Sequence, residues 1–369
     1  MSQKYDRVYN FSPGPANLPE SVLEQVRDEM MNYKGSGVSI MEISHRAYPF
    51  DEIMVNVKSR VRQLLGLGED YAVLFLQGGA STQFSMLPMN LQLPGKSVDL
   101  VHTGHWTQMA LDQLKKGFEH RVVASGEKDG FKRLPELSAR HLTSDASYVH
   151  MCSNNTIYGT QWKTFPDTGK VPLVCDMSSD IMSRRLDFSR FDVIFAGAQK
   201  NLGPSGVCLV VIKQELAERA SDKLPTMLQY RTHIKNDSRF NTPPAFGIYV
   251  MGLVLDWIVK QGGLDAMEKQ NNEKAKVLYD AIDSSSFYES PLHKPDRSLM
   301  NVVFRIKPDS KDSEKLEESF IKEAKVAGLT ELKGHRVIGG LRASIYNAHP
   351  LSGVQALAQF MREFERKNG

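Results

Sequence analysis

The chain has 369 residues, enough for one large domain and a smaller second one. Its 46 basic and 43 acidic residues nearly balance, and no long block of one sign occurs. This composition excludes an overall electrostatic attraction to nucleic acid or to a membrane surface. Three cysteines lie singly in or beside apolar runs without metal-ligand spacing, as expected for reduced core residues of an intracellular protein: Cys152, Cys175 and Cys208.

The N-terminal segment 1–20 lacks the apolar core of a signal peptide and carries acidic residues. The longest apolar stretch, 246–259, contains Asp256 and is shorter than the roughly 20 residues that a membrane span needs. We therefore expect a soluble, cytoplasmic protein with neither a membrane nor a nucleic acid as partner.

The first elements in the chain are two amphipathic helices at 22–33 and 51–67, where apolar residues recur every three or four positions. From residue 71 onward, short β-branched or aromatic runs alternate with helical patterns. These runs cover 71–76, 97–104, 120–125, 147–153, 172–178, 191–197 and 206–212. Nearly all-apolar strands separated by helices predict an α/β fold with a mainly parallel sheet covered on both faces.

The pattern changes after a helix that ends near residue 260. A long amphipathic helix is followed by strand patterns at 299–306 and 339–347 and by helical patterns at 313–328 and 354–367. Fewer strands with interleaved helices predict a smaller α+β domain. We expect residues 16–260 to form the large domain, and residues 1–15 with 261–369 to form the small one.

A turn with two glycines links a predicted strand to a helix in "LFLQGGASTQFSMLP", residues 74–88. Backbone N–H groups at such a helix start, together with the positive end of the helix dipole, can bind an anion. The turn matches neither the Walker nor the dinucleotide-binding glycine pattern. From these residues alone, a structural turn and a phosphate site both stay open.

An aspartate and a lysine end two neighbouring predicted strands. Asp176 closes the run at 172–178, and Lys200 follows the run at 191–197, 24 residues after Asp176. In a parallel sheet such strand ends share one edge, where ligands bind. The two residues could form a structural ion pair, or Lys200 could reach solvent. They could equally hold a pyridine ring, with Lys200 as Schiff base and Asp176 as counter-ion of the ring nitrogen.

These motifs, together with "AGAQKNLGPSG" at 196–206, resemble the fold-type I pyridoxal-phosphate enzymes of the class V aminotransferase family. The resemblance extends from "NFSPGPANLPE" at 10–20 to "GGLRASIYNA" at 339–348. It implies a fold-type I large domain that binds pyridoxal 5'-phosphate, with Lys200 as the catalytic lysine. The implied cofactor contacts come from Gly79, Ala80, Trp106, Thr156, Asp176, Gln199, Lys200, Asn241 and Thr242.

Within that resemblance, Trp106 matches an indole stacked on the cofactor face and Asp176 the carboxylate at the ring nitrogen. Gly79 and Ala80 match backbone donors to the cofactor phosphate, assisted by Gln199. Asn241 and Thr242, in "FNTPPAF", match residues that reach the cofactor phosphate of a second subunit. A homodimer with shared sites is therefore implied.

Two His-Arg pairs, His45-Arg46 and His335-Arg336, lie in the regions expected to flank the cleft. A single pair of this kind is usually a solvated surface feature, but two pairs favour an anionic substrate. The resemblance implies that both pairs bind a substrate phosphate. It also implies that Arg342 binds an α-carboxylate, for which the planar guanidinium is suited.

The implied reaction is amino-group transfer between O-phospho-L-serine with 2-oxoglutarate and 3-phosphohydroxypyruvate with L-glutamate, as in serine biosynthesis. A second implied substrate is 4-phosphohydroxy-L-threonine, as in vitamin B6 synthesis. Three alternatives stay open: an aminotransferase of the alanine-glyoxylate type, a non-catalytic cofactor-binding protein and a nucleotide-binding α/β module. A cysteine desulfurase or selenocysteine lyase is disfavoured because the chain has no cysteine beyond Cys208.

Overall fold

The computed structural model of the protein describes residues 5–308 and 312–369. The predicted small-domain segment 1–15 therefore includes four residues, 1–4, that lie outside the described residues. The helices are α1 (Glu20–Glu29), α2 (Tyr48–Leu65), α3 (Gly79–Leu91), α4 (His105–Leu114), α5 (Gln214–Ala217), α6 (Tyr230–Lys235), α7 (Ala245–Lys260), α8 (Gly263–Asp283), α9 (Ser313–Val326) and α10 (Leu351–Asn368). The strands are β1 (Tyr9–Asn10), β2 (Tyr71–Leu76), β3 (Val98–His102), β4 (His120–Ser125), β5 (Tyr148–Cys152), β6 (Leu173–Asp176), β7 (Val193–Gly197), β8 (Cys208–Lys213), β9 (Tyr288–Glu289), β10 (Asn301–Ile306), β11 (Leu329–Thr330) and β12 (Leu341–Ser344).

A central sheet with the strand order β2-β8-β7-β6-β5-β3-β4 forms the middle of the large domain. Strand β8 runs antiparallel to β2 and β7, whereas the other pairings in this sheet are parallel. The strands other than β8 therefore point the same way, and their carboxyl ends lie along one edge of the sheet. This edge carries the residues that end or follow β2, β3, β5, β6 and β7.

Helices cover both faces of this sheet. On one face, buried side chains of α2 and α7 such as Val57 and Leu255 belong to the same core as Val211 of β8. On the other face, Phe84 of α3 and Leu111 of α4 pack in a second core. Strands buried on both faces are mostly apolar along their length, as in β2, β6, β7 and β8, whereas β4 at the edge of the sheet is largely exposed. The predicted α/β fold with helices on both faces is confirmed.

The C-terminal part builds a separate core around a small antiparallel sheet, β12-β10-β9. Phe304 of β10, Phe320 of α9 and Met361 of α10 belong to this core, and so does Phe11 from the N-terminal segment. Strand β1 pairs in parallel with β11, which fixes that segment to the C-terminal part. The domain boundaries at residues 15/16 and 260/261 stay predictions, and this packing supports them.

Several predicted boundaries differ from the structure by a few residues, and two of these differences concern α1 and the segment after β7. The helix expected at 22–33 ends at Glu29, ahead of a turn in which Lys34 adopts a left-handed φ of 47° that a helix does not accommodate. Strand β7 ends at Gly197, so Lys200 lies in the turn after the strand rather than at its end. Among residues 5–308 and 312–369, the helices are too short or too polar to cross a membrane.

Candidate active site

The carboxyl edge of the central sheet brings four of the expected site residues together. Trp106 is the second residue of α4, which follows β3, and Thr156 lies in the loop after β5. Asp176 ends β6, and Lys200 lies in the turn after β7. Residues far apart in the chain therefore meet because their parallel strands end at the same edge.

Lys200 lies partly exposed beside the indole of Trp106. Its Nζ is 5.4 Å from the centre of that ring. Burial, the largest influence, lowers the pKa of Lys200, while the nearby Asp176 carboxylate opposes that shift. The amine therefore gives up its proton more readily than an ordinary lysine does, as a nucleophile or base requires.

Gly14 packs against the aliphatic part of Lys200. A side chain at this position would begin 3.5 Å from Cγ of Lys200, and the φ of Gly14 is 141°, which strongly favours glycine. The backbone N–H of Ala16 donates to the carbonyl of Gln199 at 2.8 Å, which holds the segment 14–16 in place. The N-terminal segment thus helps to position the lysine side chain.

Asp176 is a buried carboxylate, 4% exposed, with one oxygen already engaged. Its Oδ1 accepts from the backbone N–H of Ser178 at 2.9 Å and from the Ser178 hydroxyl at 2.6 Å. Oδ2 takes no hydrogen bond from the described part of the chain. Burial raises the pKa of Asp176, whereas the Ser178 hydrogen bonds and Lys200 act to lower it. The free oxygen suits a cationic N–H partner.

Trp106, Thr156 and Arg342 form a chain of contacts across the site. Nε1 of Trp106 donates to the Thr156 hydroxyl at 2.9 Å, and Nη1 of Arg342 donates to the Thr156 carbonyl at 2.9 Å. Arg342 lies on β12 and is 6% exposed, and its Nε is buried with no partner among the described residues. Its guanidinium therefore keeps donors for an anion, in the planar geometry that fits a carboxylate.

The first residues of α3 form a turn suited to an anion. Gly79 and Ala80 begin this 13-residue helix, so their backbone N–H groups lack a partner within it. Gly78 precedes them with a φ of 85°, and a side chain there would collide with the Thr82 hydroxyl. The Thr242 carbonyl accepts from Nε2 of Gln77 at 3.1 Å, next to this turn in the same chain.

The structure separates the two predicted His-Arg pairs. The ring of His335 lies 6.0 Å from that of His105, measured between ring centres. Burial lowers the pKa of His335, and positive charge on Arg342, His105 and Arg336 lowers it further. These basic side chains, His105 and His335 with Arg336 and Arg342, form a cluster that an anionic ligand would stabilise.

The other pair lies on a different surface. Nε of Arg46 donates to Nε2 of His45 at 3.3 Å, and Arg239 donates to the His45 carbonyl at 3.4 Å. No hydrogen bond, ion pair or ring contact joins this pair to the His335 cluster within residues 5–308 and 312–369. Arg239 precedes Asn241 by two residues, so His45 and Arg46 adjoin the segment that was expected to serve a second subunit.

Some residues of the site were not found from the sequence. Ser178, which holds Asp176, carries a weak signal, because a serine two residues after an aspartate commonly closes a turn. His105 carries no signal beyond its place next to Trp106, because only the folded chain brings it near His335. Gly14 could have been suspected from its Gly-Pro turn, but its contact with Lys200 comes from tertiary structure.

The donor set fits pyridoxal 5'-phosphate, a phosphorylated aldehyde on a flat pyridine ring. Lys200 offers an amine of lowered pKa, and Asp176 offers a buried carboxylate with one free oxygen. The indole of Trp106 gives a flat face beside the amine, and the start of α3 gives backbone donors for a phosphate.

Comparison with known proteins identifies the class. The sequence matches the family Aminotransferase class-V over residues 8–357. The chain therefore belongs to the class V aminotransferases, which confirms the resemblance seen in its motifs.

Individual relatives narrow the class. A phosphoserine aminotransferase from Desulfosudis oleivorans is 53% identical over 366 residues, covering 98% of this chain and 99% of that protein. The solved structure of phosphoserine aminotransferase from Bacillus circulans subsp. alkalophilus has a TM-score of 0.95 and 47% identity, covering 99% of this chain and 100% of the other. A PLP-bound phosphoserine aminotransferase from Trichomonas vaginalis has a TM-score of 0.89 and 38% identity, covering 96% and 100%. Within its class, the chain thus belongs with the phosphoserine aminotransferases.

Proposed function

We propose that this protein transfers the amino group between O-phospho-L-serine and 2-oxoglutarate, giving 3-phosphohydroxypyruvate and L-glutamate, as a cytoplasmic enzyme of serine biosynthesis. The observation that carries the proposal is the cluster of basic side chains, His335, Arg336 and Arg342, near Lys200 and Asp176. Substrates with an anion at each end fit such a cluster. The identities of 53% and 47% to phosphoserine aminotransferases support the same substrate.

Pyridoxal 5'-phosphate is the proposed cofactor. When bound, it supplies the aldehyde that takes up the amino group and the ring that withdraws electrons from the substrate Cα. The free oxygen of Asp176 would hold the ring nitrogen, Trp106 would face the ring, and Thr156 would contact its edge. Backbone N–H groups of Gly79 and Ala80, with the side chain of Gln199, would hold the phosphate.

Lys200 is proposed to move the proton in the reaction. Its lowered pKa leaves the amine neutral at a higher fraction than in a solvated lysine, so that Nζ can take the proton from the substrate Cα. Asp176, whose charge favours the protonated lysine, then stabilises Nζ while it holds that proton. The absence of a side chain at Gly14 leaves room for the aliphatic part of Lys200, whose Nζ lies beside Trp106.

The substrate is proposed to be held at both ends. Arg342 would bind the α-carboxylate through the donors that Thr156 leaves free. His335 and Arg336 would bind the phosphate of O-phospho-L-serine, and the γ-carboxylate of glutamate in the second half-reaction. Because both substrates end in an anion at a similar reach, one site serves both.

A homodimer with shared sites is also proposed. Several large apolar side chains on and around α2 and the segment before it are exposed, as is one beside Asn241: Met31, Val38, Met41, Tyr48, Val55 and Phe240. A protein interface would cover such a surface. His45, Arg46, Asn241 and Thr242 adjoin this surface, so a second copy would bring them to its partner's site.

The proposed site sharing is tested in mixed dimers. One subunit carries Lys200→Ala and the other carries Asn241→Ala with Thr242→Ala. If Asn241 and Thr242 act across the interface, each mixed dimer keeps one intact site and activity returns. If they act within their own chain, both sites stay impaired and no activity returns.

The proposed reaction is tested by visible absorption of the purified, cofactor-loaded protein. O-phospho-L-serine should remove the band of the lysine-bound cofactor, and 2-oxoglutarate should restore it. Lys200→Ala should lack that band and turnover, whereas the matched variant Lys213→Ala should keep both. Equal turnover of alanine with glyoxylate would favour the alanine-glyoxylate type, and cofactor binding without any turnover would favour a non-catalytic protein. A parallel assay with 4-phosphohydroxy-L-threonine tests the second implied substrate.

A further inference from the structure

Two buried asparagines join the large domain to the strand that carries Arg342. Asn154 lies in the loop after β5, and Asn301 is the first residue of β10; they are 1% and 0% exposed. Nδ2 of Asn154 donates to Oδ1 of Asn301 at 2.9 Å. Nδ2 of Asn301 donates in turn to the Ser344 hydroxyl on β12 at 2.9 Å and to the Tyr346 hydroxyl at 3.2 Å.

These hydrogen bonds form an amide relay from Asn154 through Asn301 to Ser344. Both ends of the relay lie next to the contact that orients Arg342. Asn154 precedes Thr156 by two residues, and the Thr156 carbonyl accepts from Nη1 of Arg342. Ser344 follows Arg342 by two residues on the same strand, and alternate residues of a strand share a face. The loop after β5 and strand β12 are therefore connected twice, once through the two asparagines and once through the guanidinium itself.

The amide groups of the relay are well satisfied, which fixes their orientation. Oδ1 of Asn154 accepts from the Ser298 hydroxyl at 2.5 Å, and its Nδ2 also donates to the Ser179 hydroxyl at 2.8 Å. Both donor contacts and the acceptor contact of the Asn301 amide are used. Buried amides with their partners in place resist displacement, because breaking one contact leaves a polar group without water or partner.

Other hydrogen bonds hold the two domains together close by. The backbone N–H of Ser298 donates to the Gly159 carbonyl at 2.8 Å, and that of Gln161 donates to the Asp296 carbonyl at 2.8 Å. Backbone pairing also joins Asn301 to Ser344 directly. Loss of the Asn301 amide therefore leaves the domains attached and the small sheet paired. What it removes is one buried constraint, next to Arg342, on how β12 is placed against the loop 153–156.

We propose that Asn301 is a positioning residue for Arg342, an inference that rests on the proposed function of Arg342. Asn301 is 0% exposed, so it does not line the cleft. It holds β12 where Nη1 of Arg342 reaches the Thr156 carbonyl while the unpartnered Nε edge stays available for an α-carboxylate. Because a displacement of about 1 Å at such a contact can cost a large part of the rate, the amide relay sets the precision of substrate binding.

The test is a double-mutant cycle on the cofactor-loaded enzyme, with Asn301→Ala, Arg342→Ala and the two combined. Asn301→Ala should lower kcat/KM about tenfold for both O-phospho-L-serine and L-glutamate, with most of the change in KM. In the Arg342→Ala background the same change should cost less than about twofold, because no guanidinium remains to be positioned. The cofactor dissociation constant, from absorbance titration, should stay within about twofold in each variant.

A binding measurement gives a readout besides activity. Glutarate carries two carboxylates but no amino group, so it binds without reacting. Calorimetry should show about tenfold weaker glutarate binding for Asn301→Ala. Ser344→Ala, which removes one contact of the relay, should show the same effect in weaker form and serves if Asn301→Ala fails to fold. Asn90→Ala is the matched control, because Asn90 is 1% exposed and hydrogen-bonded within the large domain.

The outcomes separate the two proposals. A loss of the same factor in both backgrounds would overturn the positioning role and leave Asn301 as a structural residue only. An Arg342→Ala variant with unchanged kcat/KM would instead overturn the proposed function of Arg342, whatever Asn301 does. A control that couples to Arg342 as strongly as Asn301 does would also overturn the inference, since the coupling would then reflect general loosening of the fold.

Discussion

Replacing Arg342 by lysine is expected to weaken both amino-acid substrates by the same factor. The guanidinium already gives Nη1 to the Thr156 carbonyl and keeps Nε without a partner. A lysine keeps the positive charge but has a single amine, which cannot hold Thr156 and both oxygens of a carboxylate in the same planar arrangement. Arg342→Lys therefore tests geometry rather than charge.

The size of the effect follows from the hydrogen bonds that a lysine cannot make. A hydrogen bond between charged groups contributes about 1.5 to 3 kcal/mol. The absence of one such bond corresponds to a fall of roughly 10- to 150-fold in kcat/KM. Because Arg342 is 6% exposed, water does not readily replace the missing donor, which favours the upper part of that range.

The assay measures kcat/KM separately for O-phospho-L-serine and for L-glutamate, each with its saturating keto acid. Arg362→Lys, an exposed arginine on α10, is the matched control and should leave both values unchanged. The absorbance of the bound cofactor should be the same in all three proteins. A loss confined to O-phospho-L-serine would refute the reasoning, because it would assign Arg342 to the phosphate instead of the shared α-carboxylate.

Three further predictions concern other contacts. Trp106→Phe removes the hydrogen bond to Thr156, which contributes about 1 kcal/mol, and should raise the cofactor dissociation constant about fivefold in absorbance titrations. The control variant Trp257→Phe should leave this constant unchanged. Equal changes in the two variants would contradict the role of the indole N–H. Lys274→Met removes the buried donor to the carbonyls of Ile345, Tyr346, Asn347 and His349, and should lower the free energy of unfolding by at least about 2 kcal/mol in urea titrations. The control variant Lys276→Met changes an exposed lysine and should not lower it. Equal urea midpoints for the two variants would refute this prediction. Burial lowers the pKa of His150 from an ordinary 6.5 to about 4. Between these two pH values the unfolded chain binds the proton more tightly than the folded one, so the free energy of unfolding falls by about 1.4 kcal/mol for each pH unit of acidification. His150→Leu should remove that part of the pH dependence of urea unfolding below pH 6.5, and an unchanged slope would show that another group is responsible.

The sequence predicted the strands of the central sheet well because most of them, β4 excepted, are buried on both faces. A run such as that of β2 or β8 must be apolar at every position, so its burial is visible without any tertiary information. The same reasoning placed Asp176 and Lys200 at one sheet edge, since parallel strands end together. The family resemblance then assigned roles that the spacing alone had left open.

The sequence could not distinguish between the two His-Arg pairs. In the chain they are equivalent dipeptides, yet the fold puts His335 near Arg342 and leaves His45 beside Arg239. Whether the two pairs meet in the proposed homodimer is something that no local sequence pattern records.

By itself, then, the sequence determined the elements and the sheet edge on which they converge, because apolar periodicity reports burial of each residue in its own element. Only the tertiary structure decided which polar groups meet there. The hydrogen bond from Asn154 to Asn301 joins residues 147 positions apart, and that from Arg342 to Thr156 joins residues 186 positions apart. Such pairings exist only when separate cores pack against each other in the folded chain, and a buried asparagine looks in the sequence like any solvated one.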